Sequence, residues 1–264
     1  MSSFSIASYN VLASSYIKAE WYPRTPPACL DADWRIPALA KHICSFETDV
    51  ICLQEVDRPA FAAVESRLSS RGYAAHYAAK ARGQPDGCAT FFREAALALR
   101  AVEVVRYRDG DNAGEGSGHI ALVVILQHAG RTLAIANTHL KWDPPTAHDG
   151  HRGLRQIRQL LEEREAIFPR CDGWIICGDL NATPSSPIVA ALQKAGLSYA
   201  HASDRMARTC NSNSKAKLID YLFHTPELDA TPIGSPRLDD ETPLPSDKEP
   251  SDHLAIMSRF HWVA

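Results

Sequence analysis

The sequence lacks long hydrophobic runs, and this absence excludes one class of protein at once. No apolar stretch approaches the ~18–20 residues that a helix needs to cross a bilayer, so the chain is not expected to span a membrane. The N-terminus, MSSFSIASYN, has no basic segment followed by a long apolar stretch, and we expect no secretory signal. With 45% hydrophobic and 22% charged residues, the composition is that of a folded protein and excludes collagen and intrinsic disorder.

Cysteine is scarce, and its spacing excludes a disulfide scaffold. The chain has seven cysteines, an odd number, and no pair has the C-x-x-C spacing of a zinc or redox site. Cys44, Cys52 and Cys177 lie in apolar surroundings, where a thiol behaves as a small hydrophobic group. No cysteine has an obvious activating partner, which argues against a catalytic thiol. We therefore expect a protein of a reducing compartment, the cytoplasm.

The chain also lacks a large charge of either sign, although its charges are unevenly placed. The formal net charge is −3, so the composition does not argue for nucleic-acid binding. Residues 226–252 hold eight acidic and two basic residues, a net −6, which leaves +3 for the rest of the chain. Binding of nucleic acid through a local basic patch is therefore permitted but not indicated.

Short apolar runs alternate irregularly with helical patterns along the 264 residues. Several of the runs are almost continuously apolar, which is typical of strands that are buried on both faces. We predict strands over 4–12, 49–56, 88–93, 120–127, 132–140, 174–181 and 218–224, with a further run over 251–260. Helical spacing of apolar residues predicts helices over 33–46, with Asp33 as the N-cap, over 152–168 and over 185–196.

This order of elements favours two packed sheets over one strictly alternating parallel sheet. The neighbouring runs 120–126 and 132–138 are separated by His128-Ala129-Gly130, which indicates a hairpin. The predicted fold is α/β (α+β): a four-layer α/β/β/α sandwich of two mixed β-sheets flanked by helices. We find no repeat and no long linker, so residues 1–264 are expected to form one domain.

Polar residues of catalytic type follow or begin these apolar runs. Because strand ends present side chains to a cleft on a rigid scaffold, these residues are candidates for one common site. Each one alone has an ordinary structural explanation, such as a turn or a cap, but their repetition at strand ends does not. They are Asn10, Glu55, His139, Asp179, Asn181, Asp220, Asp252 and His253.

The chemistry that these residues suit is metal-assisted hydrolysis of phosphate esters. Glu55, Asp179 and Asp252 provide hard oxygen donors and Asn10 and Asn181 provide amide oxygens, a set that fits Mg²⁺ or Mn²⁺ better than zinc. Converging carboxylates repel one another unless a cation lies among them. The histidines would donate to phosphate or move a proton, and a carboxylate such as Asp220 would fix the tautomer of His253.

The motifs resemble those of the endonuclease/exonuclease/phosphatase superfamily. In order along the chain they are SYNVL (8–12), LQEVD (53–57), NTHL (137–140), GDLNATPSSP (178–187), IDYLF (219–223) and SDHLAI (251–256). Two further segments, DGCATFF (86–92) and NTHLKWDP (137–144), are similar to the deadenylase branch that includes nocturnin and the Angel proteins. The motifs extend over nearly the whole chain.

The resemblance implies a role for each matching residue. Glu55 is the central metal ligand with Asn10 beside it, and Asp179, Asn181 and Asp252 line the other side of the metal and phosphate site. Asp179 would hold a second metal ion or position the attacking water; both roles stay open. His253 would contact phosphate and pair with Asp220, and His139 would stabilise the transition state. The substrate-binding residues would be Asp86, Asn137, His139, Trp142, Asn181 and His253.

These expectations lead to an Mg²⁺- or Mn²⁺-dependent phosphodiesterase or phosphohydrolase that acts on RNA 3′ ends. The first hypothesis is a 3′→5′ exoribonuclease of deadenylase type. The alternatives are an RNA 2′,3′-cyclic phosphatase of Angel type and a small-nucleotide phosphatase. The loops 144–151 and 199–218 are short, so a preference for poly(A) does not carry over. No membrane-facing segment and no obligate protein partner is evident.

Basic residues and one tryptophan offer further, ambiguous indications of RNA binding. Trp142 would stack a base or pack beneath a loop. Two basic stretches would track an RNA backbone or form ordinary solvated faces. The first consists of Arg58, Arg67, Arg71, Lys80, Arg82 and Arg93, and the second of Arg205, Arg208, Lys215 and Lys217.

Overall fold

The strands of the protein form two large sheets and one small hairpin. The computed structural model describes residues 2–110, 116–144, 151–167, 171–204, 206–234 and 236–263. The strands are Ser3–Asn10 (β1), Val50–Asp57 (β2), Tyr73–Ala79 (β3), Asp86–Arg93 (β4), Ala98–Arg106 (β5), Ile120–His128 (β6), Arg131–Thr138 (β7), Gly173–Asp179 (β8), Ser198–Tyr199 (β9), Cys210–Ser212 (β10), Lys215–Lys217 (β11), Asp220–His224 (β12), Leu228–Pro232 (β13) and Ile256–Trp262 (β14).

Both large sheets are mixed and contain six strands. The first has the order β13-β14-β1-β2-β4-β3, and the second has the order β5-β6-β7-β8-β12-β9. In the first sheet β1 is parallel to β2 and antiparallel to β14. In the second, β7 is parallel to β8, which is antiparallel to β12. The carboxyl ends of β1 and β2 in the first sheet and of β7 and β8 in the second therefore lie at one edge of the sandwich, which we call the carboxyl edge. The start of β12 lies at the same edge.

Helices cover the outer faces of the two sheets, which confirms the predicted four-layer sandwich. They are Ala32–Cys44 (α1), Arg58–Ser69 (α2), Arg152–Ile167 (α3) and Pro187–Lys194 (α4). The middle layer of the core contains Ile6, Phe92, Val124, Ile135 and Ile175, all less than 3% exposed. Because both faces of these strands are buried, their sequences are continuously apolar rather than alternating.

Two outer layers of core complete the sandwich. Apolar residues of α1 and α2 pack on the first sheet, and apolar residues of α3 and α4 pack on the second. The first layer contains Leu39, Ile43, Ile51, Val64 and Phe91, and the second contains Ile157, Leu160, Ile176, Val189 and Leu192.

The helix boundaries differ in detail from the prediction. The N-cap of α1 is Asp31, whose side chain accepts a hydrogen bond from Asp33 N at 2.9 Å. Asp33 lies instead in the first turn, where its negative charge favours the helix dipole. The helix predicted over 185–196 is shorter because Ser186 caps it through Val189 N. The helix predicted to end at 168 is described as far as Ile167.

Helix α2 was not predicted from the sequence. Asp57 ends β2 and caps this helix by accepting from Ala60 N at 2.9 Å, and Pro59 occupies the first turn. The helix buries Ala60, Val64 and Leu68, which recur at four-residue spacing. The predicted hairpin is confirmed, but its turn is only Ala129-Gly130, because His128 and Arg131 pair with each other.

Gly178 allows β7 and β8 to approach closely beside the carboxyl edge. A Cβ atom at this position would lie 1.8 Å from Thr138 O, and the φ angle of Gly178 is +130°. Only glycine adopts this conformation without strain. The close approach brings Asp179, the next residue, beside the segment that follows β7; Leu140 N donates to Asp179 O at 2.9 Å.

Candidate active site

The polar residues predicted from strand ends meet at one edge of the sandwich. Asn10 ends β1, Glu55 lies near the end of β2, and Asp179 ends β8. His139 follows β7, and Asp220 begins β12 opposite Asp179 in the antiparallel register. The segment that precedes β14 adds Asp252 and His253. Glu55, His139, Asp179, Asn181, Asp252 and His253 all line one cavity.

A β-bulge directs Glu55 toward this edge. The register between β2 and β4 shifts between Leu53 and Val56, and Glu55 has a positive φ of 55°. A bulge adds one residue to a strand and changes the direction of the side chains that follow. Gln54 consequently lies between the sheets, where its Nε2 donates to Asn137 Oδ1 at 2.8 Å. The Glu55 carboxylate faces the site and accepts from Ala13 N at 3.1 Å.

Asn10 links the carboxylates of Glu55 and Asp179. Its Nδ2 donates to Glu55 Oε1 at 3.1 Å and to Asp179 Oδ2 at 3.0 Å. Its Oδ1 accepts from Leu12 N at 3.0 Å. In this orientation the amide nitrogen, rather than the predicted ligand oxygen, faces the two acids. A single amide therefore holds the carboxylates of two different sheets close together.

Asn181 lies in a tight turn that aims its amide at His139. The turn begins with a hydrogen bond from Asn181 N to Asp179 Oδ1 at 2.8 Å, and Asn181 has a φ of 49°. Asn181 Nδ2 donates to Leu140 O at 2.9 Å and lies 3.0 Å from His139 Nε2. Positive φ angles in residues other than glycine store strain and are concentrated at functional sites.

His253 and Asp220 form a buried ion pair. His253 Nδ1 lies 2.9 Å from Asp220 Oδ2, and His253 Nε2 points toward Asp179 Oδ2 at 3.7 Å and Asp252 Oδ1 at 3.9 Å. Burial alone lowers the pKa of His253, but the charge and hydrogen bond of Asp220 outweigh burial and raise the pKa well above its usual value. His253 therefore presents a positively charged N–H to the site.

The acids of the site lie in an environment that disfavours their charge. Burial raises the pKa of Glu55; the Lys80 ammonium opposes this effect and the charge of Asp252 adds to it. Burial and the charge of Asp220 raise the pKa of Asp179 to about 7, against the opposing effect of His253. Converging buried carboxylates of this kind are stabilised by a bound cation.

The described residues contain three groups of side chains that could hold a metal ion. They are Glu55, His139 and Asp179; Asp179, Asp220 and His253; and Cys210, Asp252 and His253. Asp252 Oδ1 is buried without a hydrogen-bond partner, whereas Asp252 Oδ2 accepts from Tyr22 OH at 3.0 Å. An unpartnered buried carboxylate oxygen is costly, and a cation would satisfy it. The oxygen-rich donor set fits a hard divalent cation.

The cavity above these residues is large enough for a nucleotide. Its volume is about 610 Å³, within the range of small-ligand sites. Trp142 lies on its rim and is 56% exposed, and Trp21 lies in its wall and is 38% exposed. A second cavity of about 420 Å³ shares Trp142, Asn181, Lys217 and Ile219 with the first. The two cavities therefore lie side by side, and we call them together the cleft.

Two predicted substrate residues do not line the cavity. Asn137 is buried between the sheets, where its Nδ2 donates to Leu53 O at 3.1 Å and Ala89 O at 2.9 Å. Asp86 is also fully buried; it lies behind the wall and accepts from Tyr16 OH at 2.7 Å. Asp86 therefore acts on the cavity indirectly, through neighbours such as Tyr16, which lines it.

Three residues at or behind the cavity, Tyr16, Tyr22 and Lys80, were not predicted from the sequence as parts of the site. Tyr16 and Tyr22 lie in the segment of short 3₁₀ turns after β1, where no motif marks them. Lys80 was predicted as one member of a basic stretch, but its side chain is 1% exposed and ion-paired with Asp86 at 2.7 Å. The one sequence feature that could have indicated the burial of Lys80 is its ion-pair partner Asp86, an acidic residue six positions later at the start of β4.

Most members of the two basic stretches lie away from the cavity. Arg58 stacks over Tyr77, Arg93 stacks over Tyr73, and Arg71 donates to Cys44 O. These contacts belong to the outer face of the first sheet. From the second stretch Lys217 lines the cavity, and Arg205 lies outside the described residues.

Comparisons with known proteins agree with the fold and place the chain in a family. Residues 7–253 match the model of the Endonuclease/Exonuclease/phosphatase family. The chain is 32% identical over 208 residues to Protein angel homolog 2 of Mus musculus, and the match covers 74% of this chain and 38% of that protein. It is 28% identical over 259 residues to the CCR4-Not complex 3′-5′-exoribonuclease subunit Ccr4 of Candida albicans, and this match covers 84% of this chain and 32% of that protein. The chain thus spans about a third of the length of these relatives.

Solved structures show the same architecture. The crystal structure of ANGEL2, a 2′,3′-cyclic phosphatase, in complex with adenosine-2′,3′-vanadate has a TM-score of 0.85 at 23% identity, with 98% of this chain and 95% of that chain covered. The human Nocturnin catalytic domain with a bound sulfate anion has a TM-score of 0.76 at 23% identity, with 99% and 94% covered. At this identity the likeness concerns the fold.

The chain belongs to the Endonuclease/Exonuclease/phosphatase family. This membership confirms the resemblance that the motifs indicated and the expected class of enzyme, a hydrolase of phosphoric esters. The Angel and Ccr4 relatives confirm the predicted branch within the family.

Proposed function

We propose that this member of the family is an Mg²⁺-dependent phosphodiesterase that acts on RNA 3′ ends, with 3′→5′ exoribonuclease activity as the first candidate. The observation that carries the proposal is the convergence of Glu55, Asp179 and Asp252 with two histidines at the bottom of one cavity. Hard oxygen ligands beside phosphate-binding donors are the requirements of metal-assisted phosphoryl transfer. The proposed catalytic domain extends over residues 1–264.

Glu55, Asp179 and Asp252 would hold the cation, Mg²⁺ or Mn²⁺. The bound ion would offset the charge that develops on phosphate oxygens and on the leaving group. Asn10 and Asn181 are the other two proposed ligands. In their present amide orientation Asn10 donates to the carboxylates of Glu55 and Asp179, and Asn181 lies against His139. Asn10 would act as a ligand after a rotation that presents its oxygen, whereas Asn181 would use Oδ1 as the ligand and keep Nδ2 as a donor.

The remaining polar groups would stabilise charge and move protons. His253 is held charged by Asp220 and would donate from Nε2 to a phosphate oxygen. His139 and Asn181 would donate to another oxygen of the same phosphate from the opposite side. Asp179 Oδ2 faces the same space and would orient the attacking water or accept its proton. In the exonuclease reaction this water attacks phosphorus, the bond from phosphorus to the 3′ oxygen breaks, and that oxygen takes up a proton.

The cleft supports a strand of RNA as the substrate. Trp142 and Trp21 present exposed aromatic surface inside it, and stacking on an aromatic side chain contributes about 1–3 kcal/mol per base. Lys18 and Lys217 line the same cavity and would pair with backbone phosphates. The adjacency of the two cavities favours a substrate longer than one nucleotide over a free nucleotide.

The second candidate activity is removal of a 2′,3′-cyclic phosphate from an RNA end. Two observations favour it: the identity of 32% to an Angel protein, and the likeness in fold to ANGEL2, which is described as a 2′,3′-cyclic phosphatase. The same acids and histidines would serve this reaction, because it also begins with attack of water on phosphorus. The bond that breaks would then be one ester of the ring rather than the link to the next nucleotide.

An end-group assay separates these activities. Two 5′-labelled RNA oligonucleotides of one sequence, one ending in a 3′-hydroxyl and the other in a 2′,3′-cyclic phosphate, are incubated with the protein and Mg²⁺. Shortening of the first with release of nucleotides supports the exonuclease. Loss of phosphate from the second without shortening supports the cyclic phosphatase.

Two variants provide the controls for this assay. Glu55→Gln should abolish turnover of either substrate, and Glu65→Gln on the exposed face of α2 should leave it unchanged. The proposal is wrong if neither oligonucleotide changes with Mg²⁺ or Mn²⁺, or if only a free mononucleotide is dephosphorylated.

We also propose a cytoplasmic location, which the cysteines support. All seven cysteines are unpaired, and six are buried. None of the helices in the described ranges is long and apolar enough to cross a bilayer.

A further inference from the structure

Lys80 is a buried cation that the proposed mechanism does not use. It follows β3, and its side chain is only 1% exposed. Its ammonium group lies 2.7 Å from Asp86 Oδ2 and 3.3 Å from His139 Nδ1. A buried lysine requires a partner for its charge, and Asp86 supplies it. The contact with His139 is additional and places a fixed charge directly behind a residue of the cavity.

Asp86 and Tyr16 hold the ammonium in this place. Asp86 is fully buried and uses one oxygen for Lys80 and the other for Tyr16 OH, at 2.7 Å. Lys80 N also donates to Asp86 O at 3.0 Å. The backbone and both side chains thus fix the distance between the ammonium group and the imidazole of His139.

The chemistry of an ammonium group restricts the protonation of that imidazole. A charged lysine has three N–H donors and no acceptor. Its approach to His139 Nδ1 is favourable only if Nδ1 carries no proton. An imidazole whose Nδ1 accepts from the ammonium is neutral, because only the doubly protonated ring is charged. A neutral ring without a proton on Nδ1 carries its proton on Nε2.

We propose that Lys80 is a positioning residue that holds neutral His139 as the Nε2–H tautomer and so aims one N–H donor into the cavity. The meaning of this donor for catalysis rests on the proposed function, since a phosphate oxygen is the acceptor that it would meet. The tautomer itself depends only on the contacts of the ring.

Asn181 favours the opposite tautomer, and the two contacts must be weighed. Its Nδ2 lies 3.0 Å from His139 Nε2 and already donates to Leu140 O at 2.9 Å. With an unprotonated Nε2 it would donate a second hydrogen bond there, and the ring proton would then face the Lys80 ammonium. Hydrogen bonds from a charged donor are about twice as strong as neutral ones. The ammonium therefore decides the tautomer.

The other groups around the ring do not compete for its proton. Glu55 Oε1 lies 3.8 Å from Nδ1 and Asp179 Oδ2 lies 3.7 Å from Nε2, both beyond hydrogen-bond distance. His119 packs edge-to-face on His139 with 5.8 Å between ring centroids, and burial lowers the pKa of His119 to about 3, so it is neutral.

The consequence is a pair of adjacent donors that the protein leaves open. His139 Nε2–H and the Asn181 amide lie 3.0 Å apart at the wall of the cavity. Two converging N–H donors repel each other unless they share an acceptor, and an anionic oxygen is the natural one. Lys80 thereby prepares a phosphate-oxygen site without touching the substrate.

The tautomer can be read directly from the side-chain nitrogens. Long-range ¹H–¹⁵N correlation spectra of the full chain, without metal or substrate, distinguish the two tautomers, and loss of one signal set in His139→Gln assigns His139. The wild-type protein should show the Nε2–H tautomer. Lys80→Met should convert it to the Nδ1–H tautomer, because Asn181 remains as a donor to Nε2. The exposed control Lys194→Met should behave as the wild type.

Kinetics test the consequence for the reaction. Lys80→Met should lower kcat by about 10–100-fold, a typical cost of removing a group that orients an active-site residue, with little change in KM. Lys80→Arg, which keeps a charged donor, should retain the Nε2–H tautomer.

An Nδ1–H tautomer in the wild-type protein overturns the proposal, even if Lys80→Met does not fold. An unchanged tautomer in folded Lys80→Met overturns it too. Because the spectra need no turnover, failure of the proposed RNA activity would leave this result intact.

Discussion

Single residues of this site either face the cavity or orient a neighbour that does. Asp220 belongs to the second kind, because its carboxylate pairs with His253 at 2.9 Å and it is not among the residues that line the cavity. Its carboxylate raises the pKa of His253 and fixes Nδ1 as the donor to Asp220. The electrostatic character of His253 thus depends on a residue that the substrate would not touch.

The substitution Asp220→Asn tests this dependence. We expect kcat to fall by about 10–100-fold, because the amide has no charge to keep His253 protonated and can present the wrong hydrogen-bonding group. The Mg²⁺ concentration for half-maximal activity should change little. Steady-state kinetics and an Mg²⁺ titration measure both quantities, with Asp229→Asn on exposed β13 as the control. An effect confined to the Mg²⁺ requirement would show that Asp220 acts on the cation instead.

At the scale of secondary structure, the pairing of β7 with β8 brings together the residues that the second sheet contributes to the site. Gly178 is essential to this pairing, because any side chain would collide with Thr138 O. Asp179 and Asn181 follow directly, and His139 lies across the same pair of strands. The position of Asp179 therefore depends on the close contact between Gly178 and the backbone of Thr138.

The substitution Gly178→Ala should destabilise the protein by about 3 kcal/mol or more, since the Cβ atom and the positive φ both oppose the native backbone. Gly196→Ala is the matched control, because Gly196 has a φ of +83° but no atom within 4 Å of its Cβ position. It should cost only about 1–2 kcal/mol. Urea denaturation measures both free energies of unfolding. Equal losses in the two variants would contradict the importance of the β7–β8 contact.

The most buried strands and the strand-end residues were predictable because both follow from local sequence, whereas the more exposed or shorter strands β3, β5, β9, β10, β11 and β13 were not predicted. Continuous apolar runs identify strands buried on two faces, and Asn10, Asp179 and Asp220 are the polar residues at their ends. The bulge at Glu55 was not predictable, because nothing in LQEVD marks the extra residue. Helix α2 has the signals that predict a helix start, the N-cap Asp57 and the first-turn Pro59. Its arginines were interpreted instead as part of a basic stretch that would bind RNA or face solvent.

Lys80 shows the limit of sequence reasoning more clearly. Between alanines and close to an arginine it has the pattern of a solvated residue. Its burial depends on pairing with Asp86 and on the position of His139, which comes from the other sheet. Contacts between distant segments of this kind require the fold to be known. The N-cap of α1 is Asp31 and not the predicted Asp33. The reason is local, because both residues are aspartates and equally suitable as caps.

At the scale of the whole molecule, the cleft determines which substrates can reach the acids. Trp142 lies where the two cavities meet and is more than half exposed. An aromatic ring in this place would bind a base next to the phosphate that is cleaved.

The substitution Trp142→Ala should therefore raise KM for an RNA oligonucleotide with little change in kcat. Loss of about 1–3 kcal/mol of stacking corresponds to a rise of roughly 5–150-fold. Trp142→Phe, which keeps an aromatic face, should recover most of the affinity. A KM that is unchanged in Trp142→Ala would indicate that the base lies elsewhere in the cleft.

The proposed chemistry depends on a divalent cation among acids from both sheets. Diffraction from crystals soaked in Mn²⁺, with the anomalous signal of manganese, tests this most directly. We predict an anomalous peak bounded by the carboxylates of Glu55, Asp179 and Asp252, which is absent in Glu55→Gln. A manganese ion bound only elsewhere, or no ion in a crystal of protein whose turnover survives chelation, would contradict the account.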